Sequence, residues 1–265
     1  MTHLVFLKLG GSLITDKYSP HTANLEVIHF LAEEIRAGIE SDPGLQILLG
    51  HGSGSFGHIP ASRYHTRQGV HTVEEWRGFA EVWSEASALN RLVVDQMTNA
   101  GLPVVAFPPS AGLISVSGQV DQWNIAPIFS ALQHDLLPVI YGDVVFDRIL
   151  GGTIFSTEQL FTFLARELHP DRILIAGVEP GVWADYPACT KLIAEITPAA
   201  YPELSKKLFP SNAVDVTGGM ASKVQDMVKL VSEVPHIQVT IFNPSEPGSL
   251  GKAIRGDGVG TTIHS

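Results

Sequence analysis

Three segments of this chain set glycines and a basic or imidazole side chain beside the end of an apolar run, which is the equipment of an oxyanion site. In Lys8-Leu9-Gly10-Gly11-Ser12 the glycines follow a strand-like stretch, and successive backbone N–H groups at such a turn form a concavity that attracts anions. Lys8 stands just before the loop, within reach of a bound phosphate, and Lys17 follows. In Gly52-Ser53-Gly54-Ser55-Phe56-Gly57 the amides can again cradle phosphate. His58 comes next, and an imidazole donates to a phosphoryl oxygen in its charged or its neutral form. The third segment is Asp215-Val216-Thr217-Gly218-Gly219-Met220, where Thr217 is expected to cap a helix whose first turn carries Lys223. A cation at a helix start opposes the macrodipole, a small cost that an anion bound nearby offsets. Each segment alone also suits an ordinary turn with a solvated lysine. Together they point to phosphoryl transfer, which needs positive charge and amides around a moving γ-phosphoryl group rather than a strong nucleophile.

Competing chemistries fit less well. A dinucleotide fingerprint runs straight into a helix and meets an acidic residue at the end of the next strand. Here His58-Ile59-Pro60 follows instead, and Glu74 and Glu75 fall in a helical pattern. The nucleophile elbow G-x-S-x-G fails around Ser55, because Ser53 holds the leading glycine position. Gly251-Lys252 is no P-loop, with Glu246 at the first glycine position and Ala253 where Ser or Thr should follow. His51, His58, His65 and His71 share no helix face and have no cysteine beside them, so no metal site is expected. Cys189 is the only cysteine, which excludes an internal disulfide and fits a reducing cytoplasm.

Short apolar runs at 4–9, 46–49, 104–107, 137–141, 172–176 and 238–242 read as buried strands. Residues 25–39, 73–97 and 220–234 repeat apolar side chains at helical spacing, and Ser156-Thr157-Glu158-Gln159 resembles a capping box opening a helix through Leu168. A hairpin is expected around Gly151-Gly152. Strands alternating with helices imply βαβ units and a mostly parallel sheet covered on both faces, an α/β fold. Ligands of such sheets sit beyond the carboxyl ends of the strands, where the first two glycine loops fall. With 45% hydrophobic and 17% charged residues, the 265-residue chain is expected to form one domain, its weakest seam near Gly152 separating lobes of 1–152 and 153–265. A net charge of −10 argues against nucleic acid or an anionic membrane surface as partner. No stretch approaches the roughly 20 apolar residues of a membrane span, and the N-terminal run is too short for a signal peptide. Trp76, Phe79 and Trp83 along one helix suit either core or the wall of an apolar substrate tail.

In order along the chain, the segments at 8–12 and 52–58, Tyr141-Gly142-Asp143 and the segment at 215–223 resemble the amino acid kinase superfamily over almost the full length. The ending Ser55-Phe56-Gly57-His58 is similar to that of the isopentenyl phosphate kinases. The resemblance implies a three-layer αβα sandwich, a cytoplasmic homodimer, and transfer of the γ-phosphoryl group of Mg2+-ATP to isopentenyl phosphate. It implies that Lys8 and Lys223 contact the transferring group, that Lys17 stabilises its charge, and that Glu158 takes the place of an aspartate orienting the lysines. Gly10, Gly11, Ser12, Gly54, Gly177, Thr217, Gly218 and Lys223 would line the nucleotide. Ser53, Gly54, Gly57, His58 and Thr157 would hold the acceptor phosphate, with Phe79 and Val82 walling its tail. The N-terminal lobe would take the acceptor and the C-terminal lobe the nucleotide. The chain departs from the pattern at Ser53, which interrupts a triple glycine, at Ser156-Thr157-Glu158 in place of Ser-Gly-Asp, and at 176–181, which lacks Thr-Asp after the alanine. A fosfomycin kinase-like enzyme shares the loop histidine and is the nearest rival; acetylglutamate and aspartate kinases fit less well. A non-catalytic nucleotide- or oxyanion-binding storage or sensor protein is the alternative from another class, and the three lysines together speak against it.

Overall fold

An alternating pattern of side chains on the first strand sets the layers. In β1 (His3–Leu9) Val5, Leu7 and Leu9 enter one hydrophobic cluster and Phe6 the other, as the two-residue period of a strand requires. The computed structural model describes residues 3–16, 18–208 and 219–265. After β1 come α1 (Gly11–Ile14), α2 (Leu25–Ser41), β2 (Leu45–His51), α3 (Gly54–Arg63) and the long α4 (Val73–Asn99). Then follow β3 (Val104–Ala106), β4 (Leu113–Val116), β5 (Gln119–Trp123), α5 (Ala126–Gln133), β6 (Leu137–Tyr141), β7 (Asp143–Asp147) and β8 (Gly151–Phe155). The remainder comprises α6 (Thr157–Leu168), β9 (Arg172–Ala176), β10 (Val182–Trp183), β11 (Leu192–Ile193), β12 (Glu195–Ile196), α7 (Tyr201–Leu208), α8 (Met220–Glu233), β13 (Gln238–Phe242), α9 (Ser249–Arg255) and β14 (Thr261–Ile263).

The eight strands of the main sheet run in the order β12-β14-β13-β9-β1-β2-β6-β3. Every neighbouring pair is parallel except β13 with β14. Helices α2, α4 and α9 cover one face and α5, α6 and α8 the other, giving the expected αβα sandwich. The strands expected at 137–141, 172–176 and 238–242 form with those bounds. The capping box also forms: Gln159 N–H donates to Ser156 Oγ at 3.2 Å, and Ser156 N–H to Gln159 Oε1 at 2.9 Å. Such a cap is worth about 1 kcal/mol.

A second sheet, β5-β4-β7-β8, contains the expected hairpin at Gly151-Gly152. Its corner is held by Asp147, which is buried and accepts from Ser115 Oγ at 2.7 Å. The carboxylate also accepts from the backbone N–H groups of Ser117 at 3.0 Å, Gly118 at 2.8 Å, Ile149 at 2.9 Å and Leu150 at 2.8 Å. Burial alone would raise its pKa, but these donors hold it well below the ordinary carboxylate value. Among the described residues no helix is long and apolar enough to cross a membrane.

Candidate active site

The loops that leave β1 and β2 lie backbone against backbone. Gly10 N–H donates to the Ala176 carbonyl of β9 at 2.8 Å, and Gly52 N–H to the Leu9 carbonyl at 3.0 Å. A Cβ on Gly11 would stand 2.4 Å from the Gly54 nitrogen, and Gly54 has a φ of +50°, so both positions demand glycine. Thr15 fastens the two loops: its Oγ1 donates to the Gly11 carbonyl at 2.8 Å and accepts from Ser55 N–H at 3.0 Å. The starts of α1 and α3 therefore sit side by side at the carboxyl edge of the sheet, where free N–H groups favour negative charge.

Lys8 shares the face of Phe6 and so points toward α6. Its ammonium pairs with the Glu158 carboxylate in the first turn of that helix, and the two residues are only 5% and 7% exposed. Burial pushes the Glu158 carboxyl up, but the charges of Lys8 and Lys223 overcome it and hold the group below its ordinary value. Glu158 is thus ionised at neutral pH. The start of α6 is itself pinned to β2, since Thr157 Oγ1 donates to the His51 carbonyl at 2.6 Å. Lys223 enters from the first turn of α8, and its charge is felt at both Glu158 and His58.

His58 lies on α3 and keeps much of its surface open to solvent. Partial burial, followed by the positive charges of Lys8, Arg67 and Lys223, lowers its pKa, which leaves a neutral imidazole at physiological pH. His51 plays a different part. It is fully buried, stacks on Tyr141 with ring centroids 5.3 Å apart, and pairs with the Gly52 carbonyl and the Asn90 side chain, each at 3.1 Å. Asp143, beside the same strand ends, is pushed up to about 6 by burial even though it accepts from Ser110 and Val144 N–H groups. The assembly offers cations and amides without an activated nucleophile, an arrangement suited to holding a polyanion and stabilising charge that moves along it.

A family model described as the amino acid kinase family matches residues 3–243. The chain belongs to the amino acid kinase family. It is similar to isopentenyl phosphate kinase from Methanothermobacter thermautotrophicus, 33% identical over 271 residues that cover 98% of each chain. The isopentenyl phosphate kinase of Methanocaldococcus jannaschii is 30% identical over 266 residues, again 98% of each. A solved structure of an isopentenyl phosphate kinase superposes with a TM-score of 0.81 at 29% identity, over 98% of this chain and 100% of that one.

In this amino acid kinase Lys8, Gly10, Gly11, Ser12, Ser53, Gly54 and Gly177 lie at the carboxyl ends of β1, β2 and β9 or directly after them, whereas Gly57 and His58 lie on α3, Thr157 and Glu158 in the first turn of α6, and Lys223 in the first turn of α8. Lys17, Thr217 and Gly218 lie outside the described residues. The N-cap of α8 is Gly219, with φ +88°, and the cap expected from Thr217 falls outside the described residues with that residue. Thr157 is 1% exposed with its hydroxyl proton committed to His51, so it braces the second loop from behind. Phe79 and Val82 are buried in a cluster with Val70 and Val144, and the Phe79 ring rests where a side chain on Gly152 would project. The glycine loop expected at 52–58 turns at Gly54 into α3 (Gly54–Arg63), which has Pro60 inside it. One ground against a dinucleotide site therefore falls, while the other stands, because Glu74 and Glu75 lie on α4. Sequence reasoning missed Thr15 as the clasp between loops, and its only signal was a Ser/Thr four residues after a glycine, where the hydroxyl can reach back to a carbonyl. It also missed Asn90, which pairs with His51, and read Tyr141 as part of a motif without its stacking on that ring.

Proposed function

We propose that this chain transfers the γ-phosphoryl group of ATP to isopentenyl phosphate, forming isopentenyl diphosphate and ADP. The observation that carries the reading is the convergence of Lys8, Lys223 and a neutral His58 on two interlocked glycine loops, in a chain related to isopentenyl phosphate kinases over nearly its whole length. An oxygen of the acceptor phosphate attacks the γ-phosphorus, the bridging P–O bond to the β-phosphate breaks, and its electron pair leaves with ADP. The attacking oxygen already carries charge, so no general base is needed. Lys8 and Lys223 stabilise the charge on the transferring group, while Glu158 fixes Lys8 in place. Gly10, Gly11, Ser12 and Gly177 line the nucleotide, and Ser53, Gly54, Gly57 and His58 hold the acceptor phosphate, with Phe79 and Val82 toward its tail.

Among the described residues no group of three or more His, Cys, Asp or Glu side chains is placed to hold a metal. A magnesium ion would therefore arrive on ATP, held chiefly by the phosphate oxygens, where it neutralises part of their charge. The same reading assigns lobes of 1–152 and 153–265 to acceptor and nucleotide, a homodimer, and a cytoplasmic location.

The test is ADP release with Mg2+-ATP and isopentenyl phosphate, dimethylallyl phosphate or fosfomycin as acceptor. Turnover of isopentenyl phosphate is expected, and turnover of fosfomycin instead would reassign the pocket. ATP binding without turnover of any acceptor would favour the storage or sensor reading. In His58→Ala the acceptor KM should rise at least about tenfold with the ATP KM within about twofold, the cost of a lost hydrogen bond to a charged group. Unchanged acceptor kinetics would remove His58 from its role.

A further inference from the structure

One cation outside the residues assigned so far faces this site. Arg67 is the middle residue of a single 3-10 turn, Thr66–Gln68, between α3 and α4. The turn is anchored on several sides. Thr66 is fully buried, the Arg67 carbonyl accepts from Thr153 Oγ1 of β8 at 3.0 Å, and Val70 N–H donates to the Leu150 carbonyl at 2.7 Å. The backbone is thus fixed while the side chain is exposed. Its guanidinium crosses to the first turn of α6, where one Nη lies 3.4 Å from Gln159 Oε1. Gln159 directly follows Glu158, the partner of Lys8, so Arg67 stands over the helix start that positions the buried lysine. Its charge also reaches His58, as those of Lys8 and Lys223 do, and Asp226, one turn beyond Lys223 on α8.

A guanidinium carries five N–H donors in a planar fork, and a single long bond to Gln159 leaves most of them open. That fork matches two oxygens of a phosphate, whereas an ammonium acts as a point charge. We propose that Arg67 is a further acceptor-binding residue, its guanidinium engaging the phosphate of the acceptor held at His58. The contact selects phosphorylated acceptors over the corresponding alcohols. The proposal rests on the acceptor site as read above.

Steady-state kinetics of Arg67→Gln and Arg67→Lys, with isopentenyl phosphate and ATP varied in turn, test it. In Arg67→Gln the acceptor KM should rise roughly 10- to 100-fold, the range for charge-assisted bonds to phosphate. The ATP KM and the Tm should stay at wild-type values, and Arg67→Lys should recover part of the loss. An acceptor KM within about twofold of wild type, or an equal rise in both KM values, would overturn the assignment. If the wild-type chain does not turn over isopentenyl phosphate, the kinase reading fails separately, and calorimetry with inorganic phosphate then decides for Arg67. Weaker phosphate binding by Arg67→Gln than by the wild type would uphold the contact, and equal binding or none by either chain would overturn it.

Discussion

Lys8→Met deletes the ammonium of the buried pair while keeping most of the side chain's length. It leaves the Glu158 carboxylate, 7% exposed, facing a burial penalty that Lys8 had outweighed. Breaking one partner of a buried ion pair costs about 3–5 kcal/mol, which for a chain of this size is a fall in Tm of roughly 6–10 °C. The pH dependence follows from the direction of the Glu158 shift. Its pKa is depressed in the folded wild type, so the stability it contributes is present above the unfolded value of 4.5 and is lost as pH falls through the folded one. In Lys8→Met the carboxyl takes up a proton earlier on acidification, and the deficit against wild type shrinks as pH falls. A double variant, Lys8→Met with Glu158→Met, removes both charges and should regain most of the stability. Phosphoryl transfer should not return with it, because the charge that meets the moving group is gone. Urea unfolding of the three proteins at about pH 7.5 and about pH 5, with ADP release measured alongside, separates the two effects. A single variant within about 1 kcal/mol of wild type, or a double variant no more stable than the single one, would refute the reasoning.

Two further perturbations address the frame around that pair. Gly11→Ala places a methyl group 2.4 Å from the Gly54 nitrogen; the loops must part, and the initial rate should fall on the order of 100-fold, as for a displacement near 1 Å. A rate within about twofold of wild type would show that the loops need not touch. Asp147→Asn weakens a carboxylate that takes five donors at the hairpin corner and should cost about 1–3 kcal/mol. Because that pKa is depressed, thermal melts should show the deficit at neutral pH and lose it as pH falls below the ordinary carboxylate range; a deficit that persists in acid would assign it to packing.

The strands and the glycine loops were legible because each answers to a local constraint. Residues 137–141, 173–176 and 239–242 are buried within the sheet and so read as largely apolar runs, with Arg172 and Gln238 at the open ends and Thr240 the one polar interruption. Gly11 and Gly54 mark a contact that admits no side chain. Helix α3 was not legible, since Gly54, Gly57 and Pro60 within seven residues argue against helix on propensity. It forms by packing on α4, where the ring of Tyr64, its C-cap, fills the space left by Gly78. The pairing of Lys8 with Glu158 spans 150 residues of sequence, and no local pattern encodes it; the resemblance suggested the partner and the sheet topology supplies the approach. Arg67 belongs to no motif at all. It comes to the site because a short turn happens to pack under β8.

The lysine at the centre of the site is a strand residue, registered between Gly50 and Ile175 on the two neighbouring strands. A surface lysine gives up about 2 kcal/mol of rotamer entropy each time it is immobilised by a ligand. Here that disorder is surrendered once, when the sheet forms, and the ammonium has already shed most of its water before any nucleotide arrives. Anion capture at Lys8 should therefore carry little of the unfavourable ordering entropy seen at flexible basic loops, and its affinity should depend on the exchange of Glu158 for phosphate as the neighbour of a charge that does not move.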